Sequence, residues 1–267
     1  MAKDVVAESD RRRRKPTKQG VVLSQNLIVE TALRMLREHG REGMTVRRLG
    51  VALGADPSSL YRYFRGTDDL TLAIADELIG RAMRGWAATG DWRADLREIG
   101  LRIHTAYLDH PEAAVLTASR VSGRANEIAS DELVLGILRA TGLPDADVVR
   151  IYQAFIDQTL AFAALDAASL ALPATARAAD EEVWAATYAR LSPATHPHIA
   201  ATAPLLVARM NHSAYPTALD MLLDSAEATL RARAAGGCSA RGGTPGRPPP
   251  CPDGSIRAWD GGTSPGA

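Results

Sequence analysis

At 267 residues with 46% hydrophobic positions, the chain is long enough for a small domain plus a larger one and apolar enough to bury a core. Its net charge is zero, yet residues 1–70 carry 14 Lys+Arg against 9 Asp+Glu, which assigns any nucleic-acid partner to the N-terminal part. The two cysteines, Cys238 and Cys251, have no metal-ligand spacing, no apolar run reads as transmembrane, and no signal-peptide core follows the N-terminus. A soluble, cytoplasmic protein without a metal or cofactor is therefore expected.

Residues 1–20 are polar, with a basic run from Arg11 to Lys18, and read as a disordered arm able to add DNA contacts. A helix begins near Ser24 and places Leu27, Ile28, Thr31, Ala32, Met35 and Leu36 at helical spacing until Gly40 ends it. Thr45 is positioned to cap a second helix with Val46, Leu49, Val51 and Leu53 as its apolar positions, closed by Gly54. Asp56 and Pro57 open a third. Leu60 and Phe64, four apart, form its apolar stripe, which leaves Ser58, Ser59, Tyr61, Arg62, Tyr63 and Arg65 mostly on the other faces. Hydroxyls, phenols and guanidinium groups on a short helix suit the major groove of DNA. Arg62 is the strongest candidate for reading guanine, and Thr45, Arg47 and Arg48 are better placed for phosphates. A fourth helix starts at Thr67, which is expected to cap it, and runs towards Trp86.

From residue 91 the pattern is helix after helix, punctuated by proline or glycine, with no strand pattern and no repeat. Segments are expected over 92–109, 112–121, 126–140, 145–172, 180–191, 199–210 and 216–233. The longest, 145–172, is apolar on so much of its surface that burial on more than one side is expected. His196-x-His198 is the one close histidine pair and reads as an exposed loop rather than a metal site. No nucleophile elbow, phosphate-cradling glycine loop or HExxH run is present, so an enzyme is not expected. Residues 234–267 are rich in Gly, Pro, Ser and Ala and read as a disordered tail.

The pattern Thr45-x3-Leu49-x3-Leu53-Gly54-x5-Leu60-Tyr61-x2-Phe64, ending at Leu70, resembles the helix-turn-helix signature of tetracycline-repressor-like (TetR) transcriptional regulators. Ile28 to Gly40 resembles that family's first helix, and the likeness covers roughly residues 22–75. The family often has Lys at the position of Thr67, where it reaches a phosphate, and His at that of Tyr63. The resemblance implies an all-α protein: a three-helix DNA-binding head over 21–68 and a helical regulatory and dimerisation body over 69–233. It implies Thr45, Arg47, Arg48, Ser58, Ser59, Tyr61, Arg62, Tyr63 and Thr67 as DNA-contacting positions. It also implies a homodimer on a double-stranded operator and a small-molecule effector in the body. Polar or aromatic residues on apolar helices, namely Trp86, His104, Tyr107, Tyr152, Phe155, Gln158, Phe162 and Trp184, are candidates for that pocket, with core packing as the competing assignment. The expected function is a repressor released from a palindrome by its ligand; a ligand-independent architectural DNA binder and an activator are the competing classes.

Overall fold

The computed structural model describes residues 22–210 and 212–239, the side chains of Trp184 and of residues 236–239 excepted. The basic arm and most of the proposed tail, Cys251 included, lie outside the described residues. Among the described residues there are helices and turns but no strand.

Three short helices come first: α1 (Gln25–Gly43), α2 (Val46–Ala52) and α3 (Pro57–Leu60). Ser24 caps α1 by accepting the Leu27 N–H at 3.1 Å. Gly40 interrupts this helix rather than ending it: its φ of 63° breaks the helical run, and one further turn reaches Gly43. Val51 does not join the core as expected but stands 74% exposed, because α2 buries only Leu49 and Gly50 and hands over to Leu53.

α4 (Thr67–Met83) packs against α1 and, on its other sides, against α5 (Trp92–Leu108), α6 (Pro111–Thr117) and α7 (Ala125–Ala140). One continuous apolar cluster therefore runs from Ile28, Leu49, Leu60 and Phe64 through Leu70, Ile74 and Leu78 to Leu96, Ile99 and Tyr107. The helix starts follow the chemistry of their first residues. Asp91 accepts from the N–H groups of Arg93 and Ala94 at α5, and proline occupies the first helical position of α6.

α8 (Asp145–Ala171) is the central body helix and touches α5, α6, α7 and α11 (Tyr215–Ser239). Its buried residues, Asp147, Val148, Ile151, Phe155, Thr159, Ala163 and Ala167, fall on one stripe. The expected burial on several sides is not met within one chain: Val149, Leu165 and Leu170 point outward and are exposed. By length and composition α8 is also apolar enough to cross a membrane, contrary to the expectation that no stretch is. Apolar residues exposed on either flank of the packed stripe account for that composition.

α9 (Ala174–Val183) starts earlier than expected and continues as a π-helical turn at Trp184–Tyr188. His196 and His198 are exposed at the start of α10 (Pro197–Arg209). α11 runs past Arg233 to Ser239, so the first residues assigned to the tail are helical.

Candidate nucleic-acid interface and ligand region

The turn between α2 and α3 is built on close approach. The Ala55 N–H donates to the Gly50 carbonyl at 2.9 Å, and a Cβ on residue 50 would lie 2.9 Å from the Ala55 oxygen and 3.1 Å from the Pro57 ring. Only glycine allows that contact without a shift, while Gly54, at φ 60°, turns the chain. Thr45 accepts the Arg48 N–H at 3.2 Å and Asp56 accepts the Ser58 N–H at 2.8 Å, so both helices carry side-chain caps.

α3 is a single turn, extended by bonds from the Tyr63 and Phe64 N–H groups to the Leu60 carbonyl at 2.9 and 3.0 Å. Leu60 and Phe64 are buried, and Ser58, Tyr61, Arg62 and Arg65 are exposed along the opposite side. Ser59 is half-buried, and its hydroxyl donates to the Asp56 carbonyl at 2.6 Å. Thr45, Arg47 and Arg48 are exposed at the start of α2. Among the described residues Arg47, Arg48, Arg62 and Arg65 form no ion pair, whereas Arg81, Arg93, Arg97, Arg120 and Arg124 of the later helices are each paired. Unpaired guanidinium groups keep their full field for an anionic partner.

One expected DNA contact and one expected cap need correction. Tyr63 is turned inward, 8% exposed, and its hydroxyl donates to the Leu23 carbonyl at 2.9 Å. It cannot face a groove while it braces the chain ahead of α1. Thr67 is exposed but does not cap α4: the cap position is Gly66, with no side-chain bond, and Asp69 instead accepts the Arg65 N–H at 2.8 Å. A carboxylate two residues inside the helix instead holds the main chain just ahead of it.

In the body, Trp86, Tyr107 and Phe155 are buried core residues. Burial pushes the Tyr107 phenol up to about 12. Tyr152 lies near Asp131 on α7, and burial is the main cause that raises both groups. His104 and Phe162 do come together, around Tyr215, and Gln158 bonds to α11 three residues further on. The His104 ring stacks on Tyr215 at 4.6 Å, and Phe162 lies 5.7 Å from it. His104 Nε2 shares a hydrogen bond with Asp166 Oδ2 at 2.8 Å, and the Ser213 hydroxyl donates to the same carboxylate oxygen. The Tyr215 hydroxyl meets Thr159 Oγ1 at 2.8 Å, and burial pushes it up to about 12. Gln158 Nε2 donates to the Ala218 carbonyl at 3.2 Å, and its Oε1 is buried without a partner. Tyr215 and Asp166 thus complete a polar and aromatic cluster between α5, α8 and α11. Its sequence signal is slight: a tyrosine opening a helix, and an acid on an otherwise apolar stretch.

An open cleft of 390 Å³ lies elsewhere, lined by Arg81, Glu98, Arg102, Thr105 and His110 among others, and none of the seven candidate pocket residues with described side chains lines it. Arg81 is its hub: Nε donates to Glu77 at 2.9 Å, Nη1 to His110 Nε2 at 2.9 Å, and Nη2 to Glu30 on α1. His110 must be neutral to accept, and burial and then Arg81 hold its basicity below the usual imidazole value.

Two family models match. "Bacterial regulatory proteins, tetR family" covers residues 28–74, and "Tetracyclin repressor-like, C-terminal domain" covers 86–230. The chain is 31% identical over 129 residues to the HTH-type transcriptional repressor DrrR1 of Streptomyces coeruleorubidus, 48% of this chain and 47% of that protein. It spans about half the length of the curated relatives it matches. A possible TetR family transcriptional regulator from Streptomyces coelicolor superposes with a TM-score of 0.64 at 27% identity, over 77% of this chain and all of the other. ActR of Streptomyces coelicolor, in complex with actinorhodin, shares the fold with a TM-score of 0.68 at 20% identity, over 78% of this chain and 96% of that one.

Proposed function

Because the chain belongs to the TetR family of bacterial regulatory proteins, we propose that it is a transcriptional repressor that binds a palindromic double-stranded operator as a homodimer and leaves it when a small molecule binds. The division of labour we propose keeps residues 21–68 as the DNA-binding head and 69–233 as the regulatory and dimerisation body, acting in the cytoplasm. It has no catalytic role in this reading, in keeping with relatives that are regulators.

The observation that carries the reading is the split of α3 and its following turn into a buried side, Leu60 and Phe64, and an exposed side, Ser58, Tyr61, Arg62 and Arg65. Arg62 has the fork for bidentate hydrogen bonds to guanine. Thr45, Arg47, Arg48, Ser58, Ser59 and Thr67 supply groups for backbone oxygens, which set register. One such head reads few bases, and two heads related by a two-fold axis read an inverted repeat. The exposed apolar residues Leu165 of α8 and Met221 of α11 supply groups for pairing.

The effector is assigned to the cluster of His104, Gln158, Phe162 and Tyr215. Binding there draws the dimer towards a form whose heads no longer match consecutive major grooves. Release by tens-fold needs a differential of about 2 kcal/mol between the two forms. ActR's complex with actinorhodin gives a precedent for a ligand in this fold. Selection of bound sites from a random DNA pool at near-physiological salt tests the reading. An enriched inverted repeat is expected; binding without sequence enrichment favours an architectural DNA binder and removes the repressor.

A further inference from the structure

The link between α6 and α7 folds back onto the first turns of α4. Arg120 takes both carboxylate oxygens of Asp68, at 2.7 and 3.0 Å. Arg124 Nη2 donates to Asp69 Oδ1 and, at 3.2 Å, to the Asp69 carbonyl. Further along α4, Asp76 accepts the Glu127 N–H at 2.9 Å and Asn126 Nδ2 at 3.0 Å. The link is itself held, since the Ser122 hydroxyl donates to Glu127 at 2.6 Å and accepts the Arg124 N–H at 3.2 Å.

These contacts differ in weight. Asp68 is 72% exposed, so its pair with Arg120 is open to solvent and screened by salt. Arg124 and Asp69 are each about a quarter exposed (28% and 26%), and the pair is charge-assisted. Asp69 also has a second engagement that Asp68 lacks: its other oxygen accepts the Arg65 N–H at 2.8 Å. Arg65 follows directly on Phe64, at the exit of the turn that presents Tyr61 and Arg62. One carboxylate therefore ties a body arginine to the main chain of the DNA-reading segment.

We infer that Arg124 is a positioning residue for DNA recognition: acting through Asp69, it holds the main chain at Arg65 and so sets the aim of α3 relative to the body. The inference rests on the repressor reading above. Its salt signature differs from that of a phosphate contact, because the Arg124 guanidinium is engaged by Asp69. Loss of a phosphate contact lowers the slope of log affinity against log salt by about one, whereas loss of a positioning contact leaves the slope as it was.

The test uses the full-length protein with the operator selected by the wild type. Arg124→Gln is expected to weaken operator binding by about tenfold at unchanged salt slope. Hydrogen exchange of the Arg65 amide in the free protein should speed up by a similar factor. Asp69→Asn should do the same, and the double variant should be no worse than the worse single, because both remove one contact. Arg124→Lys, which keeps the charge, should recover most of the affinity and excludes a folding defect as the cause. Unchanged Arg65 exchange in Arg124→Gln overturns the inference, as does a slope lower by about one, which would make Arg124 a phosphate contact. Failure of the wild type to enrich any site overturns the repressor reading instead, and the exchange result still decides whether Arg124 holds Arg65.

Discussion

The Tyr63 hydroxyl donates to the Leu23 carbonyl across forty residues of chain, at 2.9 Å and out of solvent. That bond fastens the end of the α3 segment to residue 23, ahead of α1. Tyr63→Phe removes the donor and leaves a buried carbonyl unpaired, so the protein should lose about 1–2 kcal/mol in urea denaturation. Arg62→Ala should show the reverse pattern, with stability within about 0.5 kcal/mol of wild type and a large loss of operator affinity. Equal effects of the two variants on operator binding at equal stability would return Tyr63 to the DNA face.

Gly50 sits inside α2, where alanine ordinarily gains about 1 kcal/mol. Here the added methyl meets the Ala55 carbonyl oxygen at 2.9 Å and the Pro57 nitrogen at 3.2 Å, and backbone does not move aside cheaply. Gly50→Ala should therefore destabilise by roughly 1–3 kcal/mol, read as a lower urea midpoint at unchanged m-value.

Gly100 on α5 gives an independent packing test. A Cβ there would lie 2.4 Å from the Tyr215 hydroxyl and 3.2 Å from the Phe155 ring. Tyr215 is fully buried and bonded to Thr159, so its ring has little room to retreat. Gly100→Ala should lower the melting temperature and disturb binding of the proposed effector, while the salt slope of operator binding is unchanged. A variant as stable as wild type would show that the Tyr215 cluster yields easily.

His110 accepts from Arg81 only when neutral, and its basicity is depressed by burial and then by Arg81, with a smaller contribution from Arg37 against the opposing pull of Asp109 and Glu30. A base depressed in the folded state binds protons more weakly there than in the unfolded chain. Its stabilising effect is present above the unfolded imidazole value of about 6.5 and is lost as pH falls through the lower folded value. Melting temperature should thus drop between pH 7 and pH 5 by more in the wild type than in His110→Gln, whose amide oxygen still accepts from Arg81. Parallel pH profiles would remove His110 from the link between α1 and the body.

Leu165 is 62% exposed on α8. Leu165→Glu should leave the secondary structure and fold of one chain intact, yet shift sedimentation from dimer to monomer and abolish operator binding. A variant that remains dimeric would move the interface away from this residue.

Caps and turns were legible in the sequence because they depend on neighbours: Ser24, Thr45 and Asp56 each accept the N–H that their spacing assigns. The Leu60 and Phe64 stripe was legible for the same reason. Tyr63 was not, since its partner is forty residues away and a phenol suits either a groove or a core. Thr67 misleads because two acids follow it, and the one at position 69 reaches back further than a hydroxyl can. Val51 misleads because it is apolar yet stands two residues from Leu49, about 200° round the helix from the buried side. In the body, periodicity locates the helices but says nothing of which faces meet. The gathering of His104, Phe162 and Tyr215 from three helices is a tertiary fact with no local pattern.

The brevity of α3 has a practical consequence for anyone wishing to retarget this protein. Four helical residues cannot hold their shape alone, since a first turn costs more than it returns and isolated helices need on the order of a dozen residues or more. A peptide cut out around Pro57–Arg65 would be unstructured. A graft of that stretch onto another scaffold would carry the letters without the aim. The transferable cassette is larger: it must bring Leu23 for Tyr63, Gly50 for Pro57 and Asp69 for Arg65, which makes residues 22–70 the smallest unit worth exchanging.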